Sequence, residues 1–178
     1  EKVFTEEKIL IADSNFFTFF SFPLIQGDAA SVLDEPNSIV LTETLAKKYF
    51  GTTDALGKTL VVGNDKKAVI VTGIAADAPS NSHFHYNAVI SFSTVEKDYY
   101  AGWGGNSWQS YLRVTPGTSI DDINAKVDEL VSKNMGKELE EGLGISFEEF
   151  KKQGGIYSYY LYPMADTHLR VDLPDGLE

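Results

Sequence analysis

The chain contains no cysteine. That excludes disulfides and thiolate metal sites but selects no compartment, since many extracytoplasmic domains also manage without them. Basic residues are scarce: 15 Lys and Arg stand against 26 Asp and Glu, a formal net charge of −11. A field of that sign repels phosphate backbones and anionic headgroups, which argues against nucleic-acid binding. Long apolar runs are missing, and none approaches the roughly 18–20 residues of a membrane-crossing helix. A charged-then-apolar leader of the secretory type is also lacking, as are internal repeats and low-complexity tracts.

What is present is a folded composition. Of 178 residues, 43% are hydrophobic and 12% aromatic, enough for a real core in one domain or two small lobes. The organising stretch is Ser38 to Leu60. Ser38-Ile39-Val40-Leu41 has the short, β-rich, apolar character of a buried strand. Thr42 can cap the next helix, Leu45, Ala46, Tyr49 and Phe50 recur at helical spacing, and Lys47 and Lys48 suit the negative end of the helix dipole. Gly51 stops the helix and Gly57 permits the turn into a strand at 59–62. Gly63-Asn64-Asp65 then predicts a hairpin to a strand at 68–74, paired antiparallel to 59–62.

Around this unit, Val3-Phe4 and Ile9 to Ala12 read as strand material, and Asp13 to Asn15 offer caps for a short helix with Phe16, Phe17, Phe19 and Phe20. Four such rings cannot all face water, so the segment should plug a core. Pro23, Gly27 and Asp28 end it, and residues 29–37 hold a helical turn and a loop. Ala78 to Ser82 is turn chemistry, residues 87–92 are a strand, 96–109 a loop and 110–115 a half-buried strand. A helix is predicted from Ser119 to about Asn134, with Ile120, Ile123, Val127, Leu130 and Val131 as its apolar stripe. Gly136 and Gly142 should interrupt regular structure between that helix and a short one at 146–152. A tyrosine-rich strand at 156–164 and a loose tail from Asp172 complete the chain. Strands and helices mixed with hairpins argue for an α+β fold.

Four motifs occur in order: Asp13-x-x-Phe16-Phe17-x-x-Phe20-x-Phe22-x-Leu24-x-x-Gly27, the stretch from Ser38 to Gly51, Gly57-Lys58-Thr59-Leu60, and Asp77-x-Pro79-x-Asn81-Ser82-His83. Near the C-terminus stands Asp166-x-His168-Leu169. In this combination the chain resembles the periplasmic core domain of FtsX- and MacB-type ABC transporter permeases, as found in Bacteroidetes. The resemblance implies two lobes: a Porter-like α/β lobe from residues 1–33 and 106–178, and an inserted β-rich, Sabre-like lobe from 34–105. Family members carry a further strand and helix ahead of the point where this sequence starts, so the first lobe either lacks that element here or fills its place with another segment.

The implied role is non-catalytic and needs no cofactor. Lying between membrane helices of an inner-membrane protein of a Gram-negative bacterium, this periplasmic domain would pass on movement driven by a cytoplasmic ATP-binding subunit or domain. A periplasmic adaptor or lipoprotein is a further implied partner. The parent protein would be dimeric through its membrane helices and the domain alone monomeric.

Reactive constellations are sparse. His83 and His85 share a face if they lie on a strand and could meet one metal, with Asp77 nearby in sequence. No third histidine or glutamate lies close, and the plainer reading is a loop whose polar side chains bond its own backbone. Asp166 and His168 suggest a triad fragment, but no serine sits in a Gly-x-Ser-x-Gly elbow. The pairs Asp121/Asp122, Glu140/Glu141 and Glu148/Glu149 are sequence neighbours that point to different faces. Gly102, Gly104 and Gly105 lack a phosphate-loop pattern. Tyr99, Tyr100, Trp103 and Trp108 are the candidate contact residues. Aromatics on such a loop either cap a small core or form a platform for a glycan or peptide, and the second option gives the rival reading of a secreted or surface binding module.

Overall fold

In the computed structural model the described residues are 4–105, 107–159 and 161–166. They fall into two units, Glu1–Lys97 and Asp98–Glu178. The first contains β1 (Ile9–Ala12), α1 (Phe16–Phe20), β2 (Leu24–Gln26), β3 (Ser38–Thr42), α2 (Glu43–Phe50), β4 (Thr59–Val62), β5 (Lys67–Ala75) and β6 (Ala88–Ser91). The second holds α3 (Ile120–Leu143) and α4 (Phe147–Lys152).

All six strands form one mixed sheet in the order β1-β6-β3-β5-β2, with β4 on the same edge of β5 as β2. Every residue of β3 is buried, as its unbroken apolar run predicts for a strand covered on both faces. The pleat sends Ile39 and Leu41 to one side, with Leu45 and Ala46 of α2, and Val40 to the other, with Phe16 and Phe17 of α1. The predicted hairpin is present: β4 pairs antiparallel with β5, from Val62 opposite Lys67 to Thr59 opposite Ile70.

α2 forms as its sequence dictates. The Thr42 hydroxyl accepts the Leu45 N–H at 3.3 Å, and Gly51, at φ +73°, donates its N–H to the Lys47 carbonyl. The phenylalanine helix divides its rings: Phe16 and Phe17 are buried, while Phe19 and Phe20 are half-buried. Val32 and Leu33, in the turn after Asp28, complete this second core.

Residues 9–26, expected in a different lobe from residues 34–97, share one sheet and one core with them. The physical reason lies in β1 and β2. β1 pairs in parallel with β6, and β2 pairs antiparallel with β5, so both ends of this sheet come from the region before residue 33. β2 itself had no sequence signal, being three residues between Pro23 and Gly27.

In the second unit, Ser119 caps α3 by accepting the Asp122 N–H, and Ser146 caps α4 by accepting the Glu149 N–H. The predicted end near Asn134 is corrected: α3 runs on to Leu143, where Gly144 terminates it at φ +68°. A glycine inside a helix costs only about 1 kcal/mol relative to alanine. Burial of Val131, Met135 and Leu139 against Phe147 outweighs that. The stripe is corrected too, since Ile120 and Leu130 are exposed and the packed face continues through Met135 and Leu139.

Residues 110–115 and the described part of 156–164 form no strand. β propensity records fit to a pleated, half-buried surface, and the second unit has no sheet among its described residues. The expectations for Val3, for Thr167 to Leu169 and for the tail from Asp172 lie outside the described residues.

Gly27 closes the phenylalanine motif at φ +96°, and a Cβ there would lie 2.8 Å from both the Thr72 carbonyl oxygen and Val32 Cγ1. Gly27→Ala is therefore expected to destabilise the first unit by about 2–4 kcal/mol, combining left-handed strain with overpacking. Denaturant unfolding followed by circular dichroism measures this, because both tryptophans, Trp103 and Trp108, lie in the other unit. An unchanged midpoint would contradict the steric account.

Candidate functional site

The aromatic loop was the sequence's first candidate. Trp103 packs with Val131, Met135, Leu139 and Phe147. Its backbone N–H donates to Glu138 Oε1 at 2.6 Å, and its backbone carbonyl accepts hydrogen bonds from the hydroxyls of both Tyr157 and Tyr159. Trp103 is thus built into the small core of the second unit. Tyr99 stands 76% exposed, with Tyr100 and Trp108 also on the surface. Trp103 therefore differs from the other three, packing into the core while Tyr99, Tyr100 and Trp108 keep exposed surface. An open cleft of about 330 Å³ lies between α3, α4 and residues 155–158, lined by Asp128, Ser132, Phe147, Lys151 and Tyr157.

The loop from β5 to β6 carries the other candidates. Asp77 reaches the start of α2. Its Oδ1 accepts the Thr44 N–H at 3.3 Å and its Oδ2 accepts the Thr44 hydroxyl at 2.6 Å. A carboxylate there satisfies a free N–H of the first turn and meets the positive end of the helix dipole. Ser82 donates its N–H to the Pro79 carbonyl, and its hydroxyl accepts the Phe84 N–H. His83 packs edge-on against Phe84, with ring centroids 4.8 Å apart, while His85 is exposed. Among the described residues no cluster of three or more His, Cys, Asp or Glu can hold a metal. The three adjacent carboxylate pairs are exposed on α3 and α4.

One polar cluster had no signature in the sequence. Glu6, largely buried, accepts hydrogen bonds from Lys48 and Tyr49 at the end of α2 and from Asn87 before β6. Its partners lie 42, 43 and 81 positions away, so no local pattern announces it. Phe4 stacks obliquely on Tyr49, with ring centroids 4.9 Å apart, and the Lys48 ammonium sits over the Phe4 ring.

Burial would raise the Glu6 pKa, but hydrogen bonds from Lys48, Tyr49 and Asn87 and the Lys48 charge outweigh it and hold the carboxyl below its ordinary value. Tyr49 and Tyr157 are pushed up, by burial first and then by their hydrogen-bonded neighbours. Tyr86 is pushed up to about 12 by burial and by the charge of Asp77. These shifts all move away from neutrality. A general acid or base needs the opposite, a pKa drawn toward the working pH, so these groups act as fixed donors and acceptors.

The lowered Glu6 pKa has a definite linkage sign. Its stabilising contribution is complete above the ordinary glutamate value of about 4.3 and is lost as pH falls through the lower folded value. Acid titration of stability should therefore show a loss beginning below about pH 4.3 that is smaller in Glu6→Gln. Identical acid limbs for the two proteins would contradict the assignment.

The family model described as the MacB-like periplasmic core domain matches residues 3–130, well over half of the chain. No curated protein matches. Among solved structures, a domain described as that of a permease protein from Porphyromonas gingivalis is similar with 25% identity and a TM-score of 0.60, over 71% of this chain and 58% of that one. The periplasmic region of MacB from Actinobacillus actinomycetemcomitans is similar with 18% identity and a TM-score of 0.40, over 79% of this chain and 62% of that one. The chain thus spans about three fifths of the structures it matches. On the strength of the family match, the chain belongs to the MacB-like periplasmic core domain family.

Proposed function

We propose that this is the extracytoplasmic domain of an ABC transporter permease and that it works by being moved. Membrane helices on either side would carry motion from a cytoplasmic ATP-binding subunit or domain into the periplasm, where the domain shifts or exports a substrate. The family match over residues 3–130 carries this reading. It is supported by the absence of activated acid–base groups among Glu6, Tyr49, Tyr86 and Tyr157, and by a core packed on both faces of β3. Close-packed interiors transmit displacement as bodies rather than deforming continuously.

A periplasmic adaptor or lipoprotein would meet the domain at exposed aromatics, for which Tyr99, Tyr100 and Trp108 are suited by their exposure. The proposed setting is the inner membrane of a Gram-negative bacterium, within a dimeric permease whose periplasmic domain is itself monomeric. The rival reading, a glycan- or peptide-binding module, draws on the same side chains. Specific array binding lost in Trp108→Ala would favour it.

The deciding experiment is topological. The complete reading frame should encode apolar segments of about 20 residues on both sides of this domain. Alkaline phosphatase fused at residue 97 of the full-length protein should be active, as enzyme exported to the periplasm is. An inactive fusion, or a reading frame without membrane helices, would overturn the proposal.

A further inference from the structure

Two distant parts of the chain hold α2 at its opposite ends, and they also meet each other. At the last turn, Lys48 and Tyr49 donate to Glu6. At the first turn, Thr44 donates to Asp77 through both its N–H and its hydroxyl. The circuit closes at Asn87, which donates its side-chain amide to Glu6 and its backbone N–H to the Lys8 carbonyl at 2.7 Å, while its own carbonyl accepts the Thr42 N–H at 2.9 Å. Leu45 and Ala46 bury the middle of the helix against the sheet. Eight residues of helix span about 12 Å, a short rod with a polar attachment at each end.

The loop that the rod reaches contains a conflict. Tyr86 is buried among Phe16, Phe17 and Phe22, and its hydroxyl has no hydrogen-bond partner among the described residues. A buried hydroxyl without a partner costs free energy, and this one sits in the loop that Asp77 ties to α2. The Glu6 attachment, in contrast, has three donors on one carboxylate.

We propose that residues 4–8, α2 and residues 76–87 open as one cooperative unit, with α2 relaying displacement of the first segment to the loop. The inference stands on these contacts and goes beyond the transport reading, since such a relay operates whatever moves its ends. Coupling of this kind is reciprocal: loosening either end must loosen the other.

Hydrogen exchange of the 178-residue chain tests it. The double variant Lys48→Met/Tyr49→Phe cuts the α2 link to Glu6 and leaves the Asn87 contacts in place. It should speed exchange about fivefold or more across residues 78–86, the low end of the range for coupled sites. Asp77→Ala should speed exchange across residues 4–10 by a similar factor. If Asp77→Ala fails to fold, Thr44→Val, which removes only the hydroxyl bond, serves the same purpose with a smaller increase. Acceleration at both distant ends supports the relay. Acceleration confined to the neighbourhood of each substitution overturns it.

Discussion

Burial of β3 on both faces is the constraint on which the rest of this structure depends. Five residues, Ser38 to Thr42, sit between two cores that share no side chain but share this backbone. Buried backbone groups must find partners, and β3 finds them in parallel pairing with β5 and antiparallel pairing with β6. Two buried polar side chains, at the end of β3 and on its neighbour β6, fit the same logic. Thr42 turns its hydroxyl to the start of α2, and Ser91, beside this core on β6, donates to the Leu33 carbonyl at 2.6 Å. Each of these buried hydroxyls thus ties a neighbouring segment to the sheet.

The irregularities around β3 arise from serving two cores with different partners. Between Ile39 and Val40 the register against β5 shifts, placing Val40 opposite Gly73. Thr72, displaced by that bulge, donates to the Val32 carbonyl at 2.6 Å and so fastens the segment that completes the second core. Bulges re-aim side chains in this way without interrupting a sheet. Gly27 and Gly73 lie where the chain crosses close to Val32, and neither site has room for a Cβ without displacement.

Local features were legible in the sequence and long-range ones were not. The stretch from Ser38 to Val62 could be read almost residue by residue, because capping by Thr42, termination by Gly51 and the β4–β5 hairpin are set within a few positions. α3 shows the limit of such reading: Gly136 signals a break locally, yet packing against Phe147 keeps the helix intact. The alternating residues 110–115 show the converse, a strand-like pattern without a described ladder partner. For the candidate site, Asp77 was visible but its role was not, because Thr44 lies 33 positions away. Glu6 carries no local pattern that marks it; its three donors are assembled only by the fold. Trp103 was visible as an aromatic on a glycine-rich loop, and Glu138, Tyr157 and Tyr159 decide that it packs.

In the proposed transport role, a domain with these features acts through shape. The shifts at Glu6, Tyr49, Tyr86 and Tyr157 run away from neutrality, its central strand is enclosed, and its outer segments are tied to one short helix. Native-state hydrogen exchange at the Ile39, Val40 and Leu41 amides, measured across sub-denaturing urea concentrations, tests the central claim of a rigid body built on β3. The account predicts that these amides exchange only through complete unfolding of the first unit, with the same free energy and urea dependence as its global transition. Exchange of β3 through local openings insensitive to urea would contradict it.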